Sequence, residues 1–251
     1  MRSLMAHIGM LAVLSLPLLS HTKAEATEHE LRIGLIDFAP YSYHDENQQP
    51  AGLFINLLEQ IANESGLQPR FRILPIARLV QGLQEGSIDV WPGIDGKTDL
   101  VDYVLLSPKV LGHISINLYY RSDTPAPIWP ADVMGKDMIM LSGYDYWPSL
   151  LETINDPGNR IRVQRTHSHS GALGMLLRKR ADYLMNYQAP MQQALQLRPD
   201  LHLQYVNLEN IPLHMIISRR SRHGGELLQQ RLDSSYERLL EQGTDLDLPD
   251  I

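Results

Sequence analysis

The sequence alternates strand-like and helix-like segments, and it does so in two successive sets. The first set starts with the β-rich run LRIGLI at 31–36 and continues with a helical pattern, the strand PRFRIL, the helix IARLVQGLQEG and the strand IDVWPGI. A second set starts with the strand MIML at 138–141. Strands that alternate with helices pack as a sheet covered by helices. Two sets in series therefore predict two α/β lobes, and an apolar content of 43 % is enough for a core.

Two helices are predicted from the spacing of their apolar residues. After the turn DENQQPAG, apolar residues recur on one helical face from Leu53 to Ala62, and Gly66 suits the left-handed conformation that ends a helix. A long C-terminal helix is predicted to end at Gly243. Its apolar face is predicted to consist of Leu227, Leu228, Leu232, Leu239 and Leu240.

The N-terminal residues 1–26 have the pattern of an export signal. Arg2 precedes the apolar run IGMLAVLSLPLL, and Ala24 and Ala26 fit a small-x-small cleavage site. An apolar run of about a dozen residues is shorter than the roughly 20 needed to span a bilayer, which argues against a membrane anchor. Since the chain has no cysteine, a lipid anchor at the cleavage site is not expected. The mature protein is predicted to lie free in the periplasm.

The net negative charge argues against two classes of binding partner. The chain has a formal net charge of -7, and loss of residues 1–24 would make it more acidic because Arg2 and Lys23 would go. An acidic surface argues against nucleic acid and against anionic membranes as partners. A monomer without cofactors is expected.

The order of these segments, headed by LRIGLIDFAPYSYHDENQQPAGLFINLLEQIA, resembles that of bacterial periplasmic solute-binding proteins of family 3, relatives of the amino-acid receptors of ABC importers. LPIARLVQGLQEGSIDV, RKRADYLMNY and LLQQRLDSSYERLLEQGT are similar to further family segments. The resemblance covers nearly the whole mature chain. It implies a type II periplasmic-binding-protein-like α/β fold with two lobes, each a mixed sheet flanked by helices, joined by two hinge strands.

The same resemblance implies where the lobes divide. The crossings between them are expected near 109–113 and 209–213. Lobe 1 would then be discontinuous, with residues 27–110 and 212–251, and lobe 2 would contain residues 111–211.

The function implied by the resemblance is capture of a small polar ligand, amino-acid-like or an organic acid or amine, in the interlobe cleft by hinge closure. The expected partner is an ABC permease. Two alternatives stay open: a dehydratase-like exported enzyme on the same fold, and a sensory module that presents its closed form to a membrane signalling protein. The sequence has no G-x-S-x-G nucleophile motif, phosphate loop or H-E-x-x-H motif, so catalysis has little direct support.

The loop after the first strand faces the cleft in this family. Asp37 can accept hydrogen bonds from a cationic or hydroxyl group, while Phe38, Tyr41 or Tyr43 covers an apolar face of the ligand. The alternative for the aromatic residues is packing under the neighbouring helix.

Both groups that hold an α-amino acid in the family's receptors are missing from this chain. Laying GIDGKTDLVDYVLLSP on the family's Gly-x-Thr stretch puts Leu100 or Val101 where an arginine would bind the α-carboxylate. Asn186 and Tyr187 stand where a carboxylate would bind the α-amino group. An ordinary α-amino acid is therefore not the expected ligand.

Two basic residues are candidates to replace the arginine. Arg78 begins the second helix and Lys97 lies in the GIDGKT loop, and the sequence leaves open which of them meets an anionic ligand or whether both are solvated surface charges. Trp91 and Asp95 flank the same loop. Trp91 suits a ligand wall as well as it suits the core.

The second lobe offers a strand-to-helix turn, SGYDYWPS, as a ligand clamp. Ser142, Tyr144 and Tyr146 lie near a helix N-terminus whose free N–H groups favour an anion or a carbonyl. The structural alternative is helix capping by Asp145 with Pro148 in the first turn.

The stretch THSHSG contains the histidines 167 and 169. No third ligand is evident nearby, so a metal site is not expected and a helix cap at Ser168 or Ser170 is the ordinary explanation.

Overall fold

The computed structural model describes residues 29–95, 100–144, 146–198, 200–246 and 248. The predicted export signal, Lys97 and Asp145 lie outside the described residues.

Strands and helices alternate along the described chain. The strands are β1 (Glu30–Leu35), β2 (Tyr43–His44), β3 (Pro50–Ala51), β4 (Gln68–Ile73), β5 (Val90–Ile94), β6 (Val104–Tyr120), β7 (Asp137–Leu141), β8 (Arg162–Thr166), β9 (Tyr183–Tyr187) and β10 (Gln204–Ser218). The α-helices are α1 (Leu53–Glu64), α2 (Ile76–Glu85), α3 (Pro148–Asn155), α4 (His169–Leu177), α5 (Gln188–Gln196) and α6 (Gly225–Glu241).

Eight of these strands form one mixed sheet in the order β4-β1-β5-β10-β6-β9-β7-β8. Parallel pairs stand at both ends of the sheet: β1 with β4 and β5, and β7 with β8 and β9. The central strands β10 and β6 run antiparallel to each other and to their outer neighbours. This is the predicted α/β fold with two lobes, and its two halves are joined through β6 and β10.

β6 and β10 are long because each pairs with different neighbours along its length. β6 has 17 residues and β10 has 15. The part of β10 at 213–217 pairs with β5, and the part of β6 at 116–119 pairs with β9. Their mutual register shifts between Asn207 and Glu209 and again on either side of His214. Irregular pairing in the middle of two continuous strands is where a hinge can bend.

The C-terminal helix α6 packs against α1 and β6. Leu228, Leu232 and Leu239 are buried on its inner face. The predictions for Leu227 and Leu240 were wrong, because these side chains are 69 % and 46 % exposed. A helix turns about 100° per residue, so each lies one step around the helix from a buried neighbour, on the solvent side.

A tight turn connects the loop after β1 to α1. Gly52 precedes the helix with a φ of 123°, and a Cβ there would lie 2.5 Å from the carbonyl oxygen of Tyr41. Only glycine fits such an approach without strain. Gly66, after the helix, has the predicted left-handed conformation, with a φ of 71°.

A buried carboxylate connects β1 to the segment after β10. Asp89 accepts hydrogen bonds from the backbone N–H of Arg32 at 2.9 Å, from its guanidinium at 2.6 and 2.8 Å, and from the Ser221 hydroxyl at 2.8 Å. Burial acts to raise the pKa of Asp89, but the hydrogen bonds from Arg32 and Ser221 outweigh it and hold the pKa below its usual value.

Among the described residues, the helices are all too short or too polar to cross a bilayer.

Candidate ligand-binding cleft

An apolar cavity lies between the two halves of the sheet, and we call it the aromatic cavity. It contains about 480 Å³ of empty space, part of it open to solvent. Its lining residues are Ile36, Phe38, Phe54, Trp91, Pro92, Gly93, Ile94, Ile114, Tyr144, Tyr187 and Leu213. None of these side chains is charged. Such a site suits the apolar body of a ligand and leaves orientation to a few polar groups.

A second, wider cavity adjoins the first, and we call it the outer cavity. It contains about 720 Å³ of empty space, much of it open to solvent, and shares Ile36 and Tyr144 with the aromatic cavity. Its lining residues are Ile36, Asp37, His44, Ile73, Leu74, Pro75, Ile76, Gly143 and Tyr144. The exposed carboxylate of Asp37 is therefore close to the cavity mouth.

The aromatic rings of the cavity form a cluster that crosses between the lobes. Phe38 meets Tyr187 edge to face, with ring centroids 5.2 Å apart, and lies 6.0 Å from the ring of Tyr144. Tyr144 and Tyr187 are 5.9 Å apart. Aromatic pairs of this kind each contribute roughly 0.5–1.5 kcal/mol beyond the burial of their surface. These ring contacts hold the cavity walls of the two lobes together.

A hydrogen-bond network leads from the core of the second lobe to the cavity. The Asn186 Oδ1 accepts the backbone N–H of Tyr187 at 2.9 Å and lies 3.1 Å from Nδ1 of His169. Nε2 of His169 lies 3.0 Å from the Tyr144 hydroxyl, which is also 3.4 Å from the Asp37 carbonyl oxygen. We call Asn186, His169 and Tyr144 the cleft network.

The surroundings of the cleft network keep its titratable groups neutral. Burial lowers the pKa of His169, and this effect exceeds the opposing effects of the Asn186 hydrogen bond and the Asp37 carboxylate. Burial, together with the negative charge of Asp37, raises the pKa of Tyr144 to about 12. At neutral pH the site therefore contains a neutral imidazole and a protonated phenol beside one carboxylate.

The sequence matches the family model of the bacterial extracellular solute-binding proteins, family 3, over residues 31–245. The chain belongs to this family.

Solved structures share the fold of this family 3 member. An ancestral arginine-binding protein bound to arginine has a TM-score of 0.70 at 20 % identity, covering 86 % of this chain and 94 % of that one. A histidine kinase sensor domain with similarity to periplasmic binding proteins has a TM-score of 0.70 at 19 % identity, covering 86 % and 93 %. An ancestral amino-acid-binding protein, a precursor of cyclohexadienyl dehydratase, has a TM-score of 0.67 at 17 % identity, covering 88 % and 94 %. No curated protein matches the sequence significantly.

In this family 3 protein, four of the predicted ligand-binding residues lie together. Phe38, Trp91, Tyr144 and Tyr187 line the aromatic cavity, and Asp37 lies beside them in the outer cavity. The loop after β1 and the turn after β7 thus approach each other as the fold implied. Their contact with a ligand stays a prediction.

Four other predicted residues lie behind the cavity walls. Asn186 is fully buried, and its Nδ2 has no hydrogen-bond partner among the described residues. Tyr41 is 1 % exposed and stacks on Phe38 and Phe54, which is the packing alternative foreseen for it. Tyr146 stacks on Tyr187, and Ser142 is half-buried after β7. None of the four lines either cavity, and Asn186, Tyr41 and Tyr146 contact residues of the wall or of the cleft network.

The predicted charged residues are dispersed. Arg78 is exposed in the first turn of α2 and lines a separate groove with Arg72 and Glu85. Asp95 is exposed beside a small cavity that also contains Leu100. Leu100 itself is 2 % exposed in an apolar cluster, so the position expected for the arginine is part of the core. Lys97 lies outside the described residues.

His169 is a site residue that the sequence interpretation missed. The sequence suggested only a metal ligand or a residue beside a helix cap, and Ser168 does cap α4 by accepting the Gly171 N–H. The described residues contain no group of three or more metal-binding side chains. A usable signal was present: β7 and β8 are parallel neighbours, so the turns that follow them, with Tyr144 and His169, lie at the same sheet edge.

Proposed function

We propose that this chain is an exported solute-binding protein that captures a small ligand in the cleft by hinge closure and delivers it to an ABC importer. One observation carries the proposal: the walls of the aromatic cavity come from both lobes. Phe38 and Trp91 precede β6, whereas Tyr144 and Tyr187 follow it. A cavity divided in this way can be completed only when the lobes come together.

The proposed hinge lies where β6 and β10 pair irregularly, with lobe 1 at 27–110 and 212–251 and lobe 2 at 111–211. A ligand that contacts both walls favours the closed arrangement by its differential affinity for that state. The rings of Phe38 and Tyr187 meet across this boundary and give the closed form its own contacts. The ligand adds to a closure that the protein already favours in part.

The solute is not an α-amino acid held in the usual manner of the family. No positively charged side chain lines either cavity in the described ranges. A buried carboxylate without a partner costs several kcal/mol. A zwitterion would lose the hydration of its carboxylate without compensation.

A thermal-shift screen of the refolded, ligand-free protein tests the receptor proposal. The screen contains amino acids, amines, organic acids and short peptides. A solute at about 100 times its Kd adds roughly 2.7 kcal/mol to the free energy of unfolding. We expect at least one solute to stabilise the wild type and to lose this effect in Tyr187→Ala, but not in the control Leu227→Ala, whose side chain is exposed. No response to any solute would contradict the proposal.

The similarity to a histidine kinase sensor domain favours a second candidate, in which the closed form is presented to a signalling protein. Neighbouring genes for a permease and an ATPase support transport, whereas a neighbouring kinase gene supports sensing. The dehydratase-like alternative would need a general acid or base in the cleft, and His169 and Tyr144 are the groups placed to supply it. Turnover of a cyclic carboxylic acid that His169→Gln abolishes would establish that alternative.

A further inference from the structure

The cleft network fixes the direction of its own hydrogen bonds. The backbone N–H of Tyr187 donates to Asn186 Oδ1, so the opposite orientation of this amide would bring two N–H groups together. The same oxygen faces Nδ1 of His169 and can only accept. Nδ1 therefore carries the imidazole hydrogen, and in the neutral ring Nε2 has a lone pair.

This tautomer determines what Tyr144 offers to the cleft. The Tyr144 hydroxyl has one hydrogen, and Nε2 of His169 accepts it at 3.0 Å. The Asp37 carbonyl oxygen lies 3.4 Å from the same hydroxyl. Because that hydroxyl donates its hydrogen to His169, it does not donate to Asp37. Two acceptors, one from each lobe, stand side by side at the junction of the two cavities. A ligand group that donates hydrogen bonds would satisfy both.

The charge at this junction favours a cation. Asp37 has an exposed carboxylate with no hydrogen bond or salt bridge to another described residue, and its field acts on both Tyr144 and His169. The other titratable side chains that line the outer cavity in the described ranges are His44 and Tyr144, and neither cavity has a lysine or arginine among its described lining residues. An ammonium group would meet a carboxylate and two neutral acceptors.

The aromatic cavity determines the rest of the ligand. It begins at Tyr144 and continues between Phe38, Trp91 and Tyr187 without a charged group. The apolar walls of this cavity suit the ring of a ligand, and aromatic faces also attract a nearby cation.

We propose that the ligand is an amphipathic organic cation, a primary or secondary ammonium with an apolar, ring-bearing body and no carboxylate. The ammonium lies between Asp37 and Tyr144, and the ring lies in the aromatic cavity. Asn186 and His169 act as positioning residues that hold Tyr144 as an acceptor. This inference rests on the proposed function and specifies its ligand class.

Calorimetry with four matched probes tests the ligand class. The probes are 2-phenylethylamine, its trimethylammonium analogue without N–H groups, phenylalanine, and 3-phenylpropionate. We expect 2-phenylethylamine to bind best, the trimethylated analogue about tenfold more weakly because it donates no hydrogen bond, and phenylalanine about a hundredfold more weakly because its carboxylate is unpaired. No binding of 3-phenylpropionate is expected. Equal or tighter binding of either carboxylate probe, or no binding of any probe, overturns the inference.

Variants test the roles of the residues. Asp37→Asn should weaken both cations about tenfold, and Glu59→Gln, on the exposed face of α1, should change neither. Tyr144→Phe and His169→Ala should reduce the preference for the amine over its trimethylated analogue, and the Asp37 carboxylate should account for the preference that remains. A merely structural effect of these two substitutions would weaken both probes equally and would overturn the positioning role.

Failure of this inference is distinguishable from failure of the receptor proposal. If none of the four probes binds but a different solute stabilises the protein, only the proposed ligand class is wrong. If no solute of the wider screen stabilises the protein, the receptor proposal itself fails.

Discussion

The charged residues Asp89 and Asp137 each pair with an arginine, but the two pairs differ in burial. The Asp89 carboxylate is fully buried and joins Arg32 to Ser221, whereas the bidentate pair of Asp137 with Arg162 lies at the surface. Removing one partner of a buried pair leaves the other charge without compensation, and water replaces the partner at an exposed pair. The position of a salt bridge therefore determines its weight in stability.

Asp89→Ala is expected to lower the free energy of unfolding by about 3 kcal/mol, because Arg32 loses its partner while it remains mostly buried. Urea unfolding followed by circular dichroism measures the change. The matched control Asp137→Ala should give a much smaller loss. Equal losses in the two variants would show that the buried network is not the source of stability.

The stability of the protein should depend on pH through His169. Its pKa is lowered in the folded state by burial, so the unfolded chain binds a proton more readily. The contribution to stability is complete above the ordinary histidine pKa of about 6.5 and is lost as the pH falls below it. Tyr144, which faces the ring, stays protonated over this interval because burial raises its pKa to about 12.

Thermal unfolding of the wild type and His169→Gln between pH 7.5 and pH 5, values chosen to bracket about 6.5, checks this expectation. The wild type should lose stability more steeply than the variant as the pH falls. His167→Gln, which changes an exposed residue two positions earlier, should keep the slope of the wild type. A wild-type slope in His169→Gln would contradict the buried neutral imidazole.

At the scale of elements, the loop after β1 is shaped by the turn that leads into α1. The carbonyls of residues 40 and 41 accept the first N–H groups of α1, at 3.2 and 2.8 Å. Gly52 allows this close approach with its φ of 123°. The position of Phe38 in the cavity wall thus depends on a glycine that does not contact the cavity.

Gly52→Ala is expected to destabilise the protein by about 3 kcal/mol, because strained backbone and a Cβ 2.5 Å from the Tyr41 oxygen act together. Gly135→Ala is the matched control, with a φ of 71° and open space around the new Cβ, and should cost about 1 kcal/mol. Chemical unfolding distinguishes the two. A smaller loss in Gly52→Ala than in Gly135→Ala would be the contrary result.

The sequence predicted the bounds of those helices and strands whose apolar residues all face the same core. Helix α1 and strands β1 and β4 agree with their predicted bounds within one or two residues, since their periodic apolar residues face a single core. β6 was predicted only from 114, although it starts at Val104. Its first part contains Pro108 and Gly112, which argue against a strand, and it is partly exposed, whereas residues 114–120 are buried.

Within the candidate site, the aromatic residues were predictable from the sequence and His169 was not. Phe38 and Tyr144 follow β1 and β7, Tyr187 ends β9 and Trp91 lies in β5, and the fold brings these strands together at the cleft. The role of His169 depends on Asn186, 17 residues later, and on Tyr144, 25 residues earlier. Such a network has no local pattern, so only the folded structure reveals it.

At the scale of the whole molecule, the two lobes are connected by continuous strands and meet through side chains. Ring contacts join Phe38 to Tyr187 and to Tyr144 across the boundary between the lobes. The pairing of the two connecting strands β6 and β10 is irregular on either side of His214. We expect a rotation of one lobe against the other to bend the chain at these irregular positions.

Small-angle scattering should show closure. With a stabilising solute present, we expect a smaller radius of gyration than in the refolded, ligand-free protein, because ligand contacts to both walls favour the closed state. A variant without the Phe38 ring, Phe38→Ala, should shift the ligand-free protein towards the open form. Identical scattering curves with and without a tight solute would remove the support for hinge closure.

The position of β10 has a consequence for biosynthesis. This strand lies between β5 and β6, yet it is translated after both, and Ile217 pairs with Val90 across more than a hundred residues of chain. The ribosome must therefore release almost the whole polypeptide before the sheet can close at its centre. Until then β5 has an unpaired edge, which can pair with other chains and can be bound by chaperones.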